Sequence, residues 1–330
     1  MPLRAEIITD GKAFEALAPQ WWELWRSCPS ATPFQTPAWL LPWWRHFAPG
    51  RLAAIAVWRD GRLVGLAPFY LEDGKETRLL PVGIALSDYL DLLIEPGMEN
   101  EAAVLIFKAG LNLSWNRWEF EELRPEALAA SLACPETLAN AADEQSACPV
   151  VVLEGGTDLT GCVPARRRRQ LRRAHAATAK RWSVSIEAAS GDTDGFLDRL
   201  FRLHGARWAK RGEAGVVRDR PVQDFHRTAL AALSDASLAR CYQIRIGGSI
   251  AGAYYGMCDG RRAYAYLGGF DPAFSEESPG SILTGHAIAE TIREGAKEFH
   301  FLRGREAYKY SWGATDRWNR RRTFRRVSPP

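Results

Sequence analysis

The two halves of this 330-residue chain repeat one order of predicted elements: strand, turn, strand, helix and strand. In the first half Gly61 and Gly65 have the same spacing as Gly248 and Gly252 in the second half. Alternating apolar residues flank both glycine turns, and this pattern predicts a β-hairpin in each half. We therefore predict a tandem duplication, with one lobe at residues 1–150 and the other at residues 151–330.

Composition favours two medium-sized cores, because the chain is 46% hydrophobic and 25% charged over 330 residues. The net charge of +4 argues against a protein whose whole surface is built for nucleic acid. Residues 1–10 show no signal-peptide pattern, and no later apolar run reaches membrane-spanning length. We expect a cytoplasmic protein without a transmembrane segment.

The cysteines have no Cys-x-x-Cys pair and no histidine at metal-ligand spacing. We predict that they are buried free thiols and that the protein uses no metal. The six residues are Cys28, Cys134, Cys148, Cys162, Cys241 and Cys258.

The first lobe opens with two predicted helices rich in tryptophan. Helical spacing favours a core or lobe-contact role for these rings, with a carbohydrate-stacking surface as the alternative. They are Trp21, Trp22, Trp25, Trp39, Trp43 and Trp44. A strand is predicted over residues 87–94, where Asp88 is expected either to face a groove between the lobes or to cap the adjoining loop. Residues 125–149 are predicted to form an irregular or helical connector.

A run of arginines crowds a predicted helix that starts after Pro164 and extends toward Arg181. Like charges one turn apart disfavour a helix, so an anionic partner is one interpretation: the phosphate groups of a cofactor, an RNA, an acidic glycan or a phosphate-rich membrane surface. A solvated face paired with acidic side chains is the other. The residues are Arg166, Arg167, Arg168, Arg169, Arg172 and Arg173. A second arginine set at residues 317–326 is interpreted as a solvated terminus.

The second lobe has the clearer pattern. Strands are predicted over residues 241–246, 250–258 and 263–270, followed by a helix over 281–296 and a strand over 298–302. The helix begins at the sequence Ser278-Pro279-Gly280-Ser281, where unpaired backbone N–H groups beside a glycine could hold an anion.

This order of elements resembles the GNAT acyltransferase superfamily. More narrowly, four segments resemble the CelD/BcsL-type acetyltransferases, which are associated with bacterial polysaccharide biosynthesis and related in architecture to the Fem peptidyltransferases. The segments are Ser87-Asp88-Tyr89-Leu90-Asp91, Arg207-Trp208, Ser278-Pro279-Gly280 and Leu302-Arg303-Gly304-Arg305-Glu306-Ala307-Tyr308-Lys309.

The resemblance implies an α/β fold of two tandem GNAT-like lobes, each a mixed, mostly antiparallel sheet flanked by helices. It also implies that an acyl-CoA is the co-substrate and that the second lobe binds it. The expected cofactor-binding residues are Ser278, Gly280, Ser281 and Ile282. Two departures from the family pattern stand out. The phosphate loop lacks its first glycine and its basic residue, and His300 stands where relatives commonly carry aspartate.

Acyl transfer requires a base, an oxyanion stabiliser and a proton donor for the leaving group. Glu306 is our candidate base, because it follows a turn at the carboxyl end of a strand, where open sheets place ligands. Tyr308 resembles the superfamily's proton donor, and Lys309 could stabilise developing negative charge. Each has a structural alternative: Glu306 in an ion pair, Tyr308 in the core and Lys309 exposed. The expected substrate-binding residues are Asp88, Arg207 and Trp208.

The function predicted from sequence is acyl-CoA-dependent N- or O-acyl transfer, most plausibly of acetyl, to a sugar, polysaccharide or envelope precursor. Two alternatives stay open. One is a Fem-like transferase that uses aminoacyl-tRNA, and the arginine helix favours it. The other is an inactive GNAT-like scaffold in a polysaccharide-synthesis complex, which the altered phosphate loop favours.

Overall fold

A computed structural model describes residues 2–153, 157–189, 191–209 and 217–326, without the side chains of residues 207–209. The chain divides into two compact units. Residues 2–146 together with residues 317–326 form the first unit, and residues 147–316 form the second. In the described residues no helix is both long and apolar enough to cross a membrane.

Helices and strands of the described residues are numbered in chain order. The helices are α1 (Gly11–Ala16), α2 (Ala18–Ser27), α3 (Pro37–Phe47), α4 (Glu99–Leu111), α5 (Ala165–Arg181), α6 (Thr193–Ala209), α7 (Arg220–Asp235), α8 (Pro279–Arg293) and α9 (Ala307–Tyr310). The strands are β1 (Arg4–Ile8), β2 (Arg51–Leu52), β3 (Ala54–Arg59), β4 (Arg62–Ala67), β5 (Phe69–Glu72), β6 (Arg78–Pro81), β7 (Leu93–Ile94), β8 (Arg117–Leu123), β9 (Leu138–Val152), β10 (Val184–Ala188), β11 (Ala239–Ile246), β12 (Ser249–Cys258), β13 (Arg262–Phe270), β14 (Glu298–His300) and β15 (Thr315–Arg326).

The first unit contains a four-stranded antiparallel sheet in the order β1-β3-β4-β7 and a second set of strands in the order β15-β8-β6-β5-β2. In the second unit the strand order is β10-β11-β12-β13-β14-β9, antiparallel except for the parallel pair β13 and β14. Both units are therefore mixed, mostly antiparallel α/β structures with helices against the sheets, as the sequence predicts.

The two hairpins are alike in detail, which supports the duplication. Their turn residues, Asp60-Gly61 and Gly247-Gly248, all have positive φ, the geometry of a type I′ turn. Each hairpin also has a β-bulge after the turn, where Val64 in one and Ala251 in the other are the extra residue.

A glycine follows each bulge, at the point where a helix packs on the strand. A Cβ on Gly65 would lie 3.5 Å from Ala102 Cβ of α4, and a Cβ on Gly252 would lie 3.1 Å from Leu283 Cδ1 of α8. Helices α4 and α8 are thus equivalent crossovers in the two units. At Gly252 the missing side chain lets α8 pack closely on the hairpin, whereas at Gly65 the distance to α4 is an ordinary contact that would also admit a Cβ.

The tryptophans of α2 and α3 confirm the core interpretation for three of the six rings. Trp21 and Trp39 are fully buried, and Trp43 is nearly so. The Trp21 indole donates a hydrogen bond to the Gln35 carbonyl at 2.9 Å, and the Trp39 indole donates to Ser87 Oγ at 2.9 Å. These rings stabilise the first unit and leave no face for stacking on a sugar.

Helix α4 crosses the buried Trp118 ring of β8 so closely that only glycine fits at position 110. A Cβ there would lie 2.4 Å from Trp118 Cη2. We predict that Gly110→Ala lowers the free energy of unfolding by about 1–3 kcal/mol despite its better helix propensity, because the buried ring cannot move aside. Urea unfolding measures the change. The matched control is Gly205→Ala in α6, where a Cβ meets no described atom within 4 Å and propensity alone should raise stability. If both variants gain stability, the packing argument is wrong.

Two sequence predictions about the first unit are wrong. Only Leu93–Ile94 of the predicted strand 87–94 pairs with a neighbour, whereas residues 82–86 form turns and Tyr89 has a φ of 73°. The predicted connector 125–149 contains a 3₁₀ turn at Leu128–Ser131 and then the long strand β9. Apolar runs and alanine-rich segments cannot be assigned from local pattern when distant hydrogen bonds decide their conformation.

The carboxyl-terminal arginines belong to a strand, β15, and the prediction of a solvated terminus does not hold for all of them. Arg322 is 5% exposed. Its guanidinium donates to the carbonyl oxygens of Ala129, Ala130 and Leu132 and to Asn140 Oδ1. Because those carbonyls close the turn before β9, Arg322 holds the two segments together within the first unit.

Candidate active site

The second unit opens along one edge of β13. β13 and β14 run parallel but pair over only three residues each, Arg262 to Tyr264 with Glu298 to His300. Beyond Tyr264, β13 continues for residues 265–270, and within the described residues no strand pairs with that edge on the β14 side. A cleft of about 520 Å³ lies along this free edge, with Phe301 at the end of β14 on its other side. Its volume is that of a small-molecule site.

The first turn of α8 forms one end of the cleft. Ser278, Gly280 and Ser281 all line it. Ser278 is in the left-handed conformation, with a φ of 54°, and its carbonyl accepts the N–H groups of Ser281 and Ile282 at 3.0 and 3.1 Å. Among the described residues the Gly280 N–H has no acceptor. This end of the cleft therefore offers one free amide and the positive end of the helix dipole.

Ile282 belongs to the core and does not line the cleft. Its side chain is 3% exposed and packs in the second unit's hydrophobic cluster. Its N–H is already donated to Ser278. Of the four residues expected to bind the cofactor, the structure therefore brings three to the cleft and places Ile282 behind it.

The opposite wall contains Glu306, Ala307 and Tyr308. Glu306 is the N-cap of α9, and Tyr308 is 44% exposed with its ring edge toward Phe301 at 6.0 Å between centroids. Gly304 makes this turn possible, because its φ is 108° and a Cβ there would lie 2.6 Å from a Glu306 carboxylate oxygen. Two of the three side chains predicted to be catalytic, Glu306 and Tyr308, thus line the cleft.

Lys309 does not face the cleft. It is 3% exposed, and its Nζ donates to the carbonyl oxygens of Leu302, Arg303 and Gly304 at 3.2, 2.8 and 3.0 Å. It also lies 3.0 Å from the Glu306 carboxylate. This geometry fits neither of the two sequence interpretations. Lys309 is a buried clasp that holds the turn 302–304 and positions Glu306.

Sequence reasoning did not single out Arg167, which also lines the cleft. Its guanidinium lies 4.2 Å above the Trp312 ring centroid and donates to Ser281 Oγ at 2.9 Å. Burial lowers its pKa from the usual value. Helix phase is the signal that could have found it, because Arg167, Leu171, Ala174 and Thr178 occupy the less exposed face of α5.

The remaining arginines of α5 differ from Arg167. Arg168 donates to the Val163 carbonyl at 3.0 Å. The other four side chains are exposed, and none has an ion-pair partner in the described part of the chain; they are Arg166, Arg169, Arg172 and Arg173. The interpretation of a face paired with acidic side chains does not fit these four residues.

Tyr254 of β12 is a second cleft residue that the sequence did not indicate. It is 7% exposed and stacks on Tyr242 at 5.9 Å between centroids. Burial raises the pKa of its hydroxyl well above the usual value. Tyr254 therefore remains a neutral phenol, able to donate a hydrogen bond but unable to act as a base near neutral pH.

In the described part of the first unit, the cavity beside the equivalent strands is much smaller. There β6 and β7 correspond to the two ends of β13. β6 pairs in parallel with β8, as β13 does with β14. β7 pairs with Gly65, as Phe270 of β13 pairs with Gly252. Residues 82–92 lie between β6 and β7 in the chain, and the cavity lined by Pro81, Val82, Leu90 and Leu92 has only about 20 Å³. The equivalent opening is filled.

The amino end of α4 is also closed to anions. Glu99 and Glu101 lie in its first turn, and the Glu99 carboxylate accepts the Gly97 N–H at 2.8 Å. These carboxylates disfavour a second anion at that end of the helix.

The predicted acceptor residues belong to both units. Asp88 is 4% exposed within the irregular segment 82–92 of the first unit. The nearby Asp91 carboxylate accepts hydrogen bonds from the N–H groups of Leu92, Leu128 and Ala129 in the same unit. Burial raises the pKa of the Asp91 carboxyl to about 6. Arg207 and Trp208 lie on α6, but their side chains fall outside the described residues.

Comparison with known proteins agrees with this geometry. Residues 165–310 match a family model described as an acetyltransferase (GNAT) domain. No curated protein matches the chain. Among solved structures, FemX is similar in fold at 12% sequence identity, with a TM-score of 0.68, covering 97% of this chain and 96% of FemX.

Two further structures share the fold. A conserved protein of unknown function from Bacteroides thetaiotaomicron is 13% identical with a TM-score of 0.60, covering 94% of this chain and 97% of its own. The C-terminal domain of a lysylphosphatidylglycerol synthetase homologue from Agrobacterium fabrum is 12% identical with a TM-score of 0.60, covering 95% and 92%. At these identities the likeness concerns the fold alone. The match over residues 165–310 is what assigns chemistry: the second unit carries a GNAT-type acetyltransferase domain, and the protein is an acyltransferase.

Proposed function

We propose that the protein transfers an acyl group, with acetyl as the expected group, from an acyl-CoA to an amine or hydroxyl of a sugar or envelope precursor, as in CelD/BcsL-type acetyltransferases. The observation that carries the donor assignment is the cleft itself. It joins the free edge of β13, the amino end of α8 and the pair Glu306 and Tyr308 in one space of about 520 Å³. The acceptor class rests on the sequence resemblance.

Three groups divide the chemistry. The free edge of β13 presents backbone N–H groups to the carbonyl of the donor, where they stabilise the developing oxyanion. A bulge makes Tyr266 the extra residue of this strand and changes the direction of its peptide groups. Glu306 accepts the proton of the attacking amine or hydroxyl, and the Tyr308 hydroxyl protonates the leaving thiolate.

The second unit is the proposed donor lobe, and the filled cleft of the first unit supports this division. The first unit keeps its hairpin and crossover helix but offers only about 20 Å³ at the equivalent place. Its acceptor role, with Asp88 as the contact, stays a proposal based on sequence. Asp88 is buried, so such a contact requires the segment 82–92 to move.

A Fem-like reaction with aminoacyl-tRNA is the second candidate. The exposed arginines of α5 favour it, since four guanidinium groups without ion-pair partners in the described residues suit a phosphate backbone. Binding to tRNA would then weaken steeply as salt is raised.

Thermal unfolding with acetyl-CoA tests the proposal. We predict that the unfolding temperature of the protein rises by several degrees, because a ligand at about a hundredfold above its Kd adds about 2.7 kcal/mol of stability. Release of free CoA thiol with amino-sugar acceptors then measures turnover. A tRNA that binds while acyl-CoA does not would favour the Fem-like reaction, and no binding of either would favour the scaffold.

Gly280→Glu is the sharpest variant for this measurement. Among the described residues a Cβ at Gly280 would meet Phe270 Cδ1 at 3.5 Å, an ordinary contact distance, and a carboxylate suits the first turn of a helix. The fold should be kept and the acetyl-CoA shift lost, because the carboxylate repels the phosphates. Ala177→Glu is the charge-matched control on an exposed position of α5. An undiminished shift in Gly280→Glu would place the donor elsewhere.

A further inference from the structure

The phosphate end of the cleft lacks the basic residue that its own loop would supply in related enzymes. Its sequence is Ser275-Glu276-Glu277-Ser278-Pro279-Gly280, which brings carboxylates and no cation. Glu277 is buried and pairs with Arg181 at 3.4 Å, and Glu276 lies 3.8 Å from the same guanidinium. A cation for the donor must therefore come from another element.

Arg167 of α5 has the position and the electrostatics for this role. It lines the cleft and touches the first turn of α8 through Ser281. Its Nε is buried and has no hydrogen-bond partner in the part of the chain that the structure describes. No carboxylate of the described residues lies within ion-pair distance, and burial is the only cause that lowers its pKa.

A half-buried guanidinium without a counter-ion is costly, and a bound anion would offset that cost. The guanidinium carbon lies 4.2 Å from the Trp312 ring centroid and Nη2 donates to Ser281 Oγ, so the group is held at the cleft. A guanidinium can donate to two oxygens of a phosphate. The Gly280 N–H lies in the first turn of α8, as Ser281 does, and has no acceptor among the described residues.

We propose that Arg167 is the donor's phosphate ligand and replaces, from α5, the basic residue missing from the loop before α8. This inference rests on the proposed function and deepens it. It separates Arg167 from the other arginines of α5, whose side chains are exposed or held by the chain itself.

Binding of three thioesters and of inorganic pyrophosphate to wild type and to Arg167→Gln tests the inference. Titration calorimetry with acetyl-CoA and acetyl-dephospho-CoA should show Kd raised about 10- to 100-fold, the usual effect of losing a charge-assisted contact. S-acetylpantetheine, which has no phosphate, should bind both proteins equally. Pyrophosphate alone should bind wild type and lose its affinity in the variant.

Arg166→Gln is the matched control, because it removes the same charge from an exposed position of the same helix. It should leave all four Kd values near wild type. Arg167→Lys keeps the charge but loses the fork, and should give an intermediate Kd for acetyl-CoA. This second variant keeps the test valid should Arg167→Gln fail to fold.

Two failures are distinguishable. If wild type binds acetyl-CoA and Arg167→Gln binds it equally well, or if S-acetylpantetheine weakens to the same extent, Arg167 is not the phosphate ligand. If wild type binds pyrophosphate through Arg167 but no CoA thioester, the anion site stands and the proposed donor is wrong.

Discussion

Replacing Tyr308 by phenylalanine is expected to lower kcat for acyl transfer about 100-fold, within the usual range for loss of a general acid, and to change the KM for the donor little. Phenylalanine keeps the ring contact with Phe301 and removes only the hydroxyl that would protonate the leaving thiolate. Steady-state thiol release measures kcat. A donor whose thiol is more acidic should recover much of the rate, because such a leaving group needs less protonation.

Tyr310→Phe is the control for this result. Tyr310 lies on the same short helix, but its hydroxyl donates to Asp316 Oδ1 at 2.7 Å and does not line the cleft. Its loss should leave kcat near the wild-type value. An equal loss of rate in both variants would show that α9 is merely sensitive to change, and an unaffected Tyr308→Phe would remove Tyr308 from the mechanism.

Replacing Lys309 by methionine is expected to lower both stability and kcat. The variant leaves three carbonyl oxygens and the Glu306 carboxylate without their shared cation, and we expect the free energy of unfolding to fall by about 2–4 kcal/mol. Because Glu306 would no longer be held beside the turn, kcat should fall as well. Chemical unfolding and steady-state kinetics on the same preparation measure the two effects.

The exposed Lys297 supplies the comparison, since Lys297→Met removes an equal charge from the second unit. It should change neither quantity. The two interpretations of Lys309 predict different outcomes. A buried clasp affects stability and rate together, whereas a cation that acts on the substrate, as expected from sequence, would lower kcat and leave unfolding unchanged.

The hairpins of both units could be predicted from sequence because their causes are local. Glycines at positive φ and alternating apolar residues determine a type I′ hairpin within a few residues. The segment 87–94 could not be predicted in this way. Asp91 there accepts the N–H groups of Leu128 and Ala129, residues far along the chain, and no local pattern reports such a partner.

The same distinction applies to the site. Gly280, Ser281, Glu306 and Tyr308 were predictable as one group, because each follows a strand or opens a helix at the same edge of the second unit's sheet. Lys309 was assigned incorrectly, since a lysine looks alike in sequence whether its ammonium faces a ligand or three carbonyls. Arg167 was hidden among equal neighbours, and only the rotation of α5 decides which arginine points inward.

The free edge of β13 consists of peptide groups, and this has a consequence for how such a protein can change. Substitution replaces side chains but leaves the row of amide donors and carbonyl acceptors in place as long as the strand persists. Under the proposed function, the part of the donor that lies along this edge therefore binds to backbone groups, which substitutions scarcely alter. Selectivity for one acceptor over another can then diverge freely in the surrounding side chains.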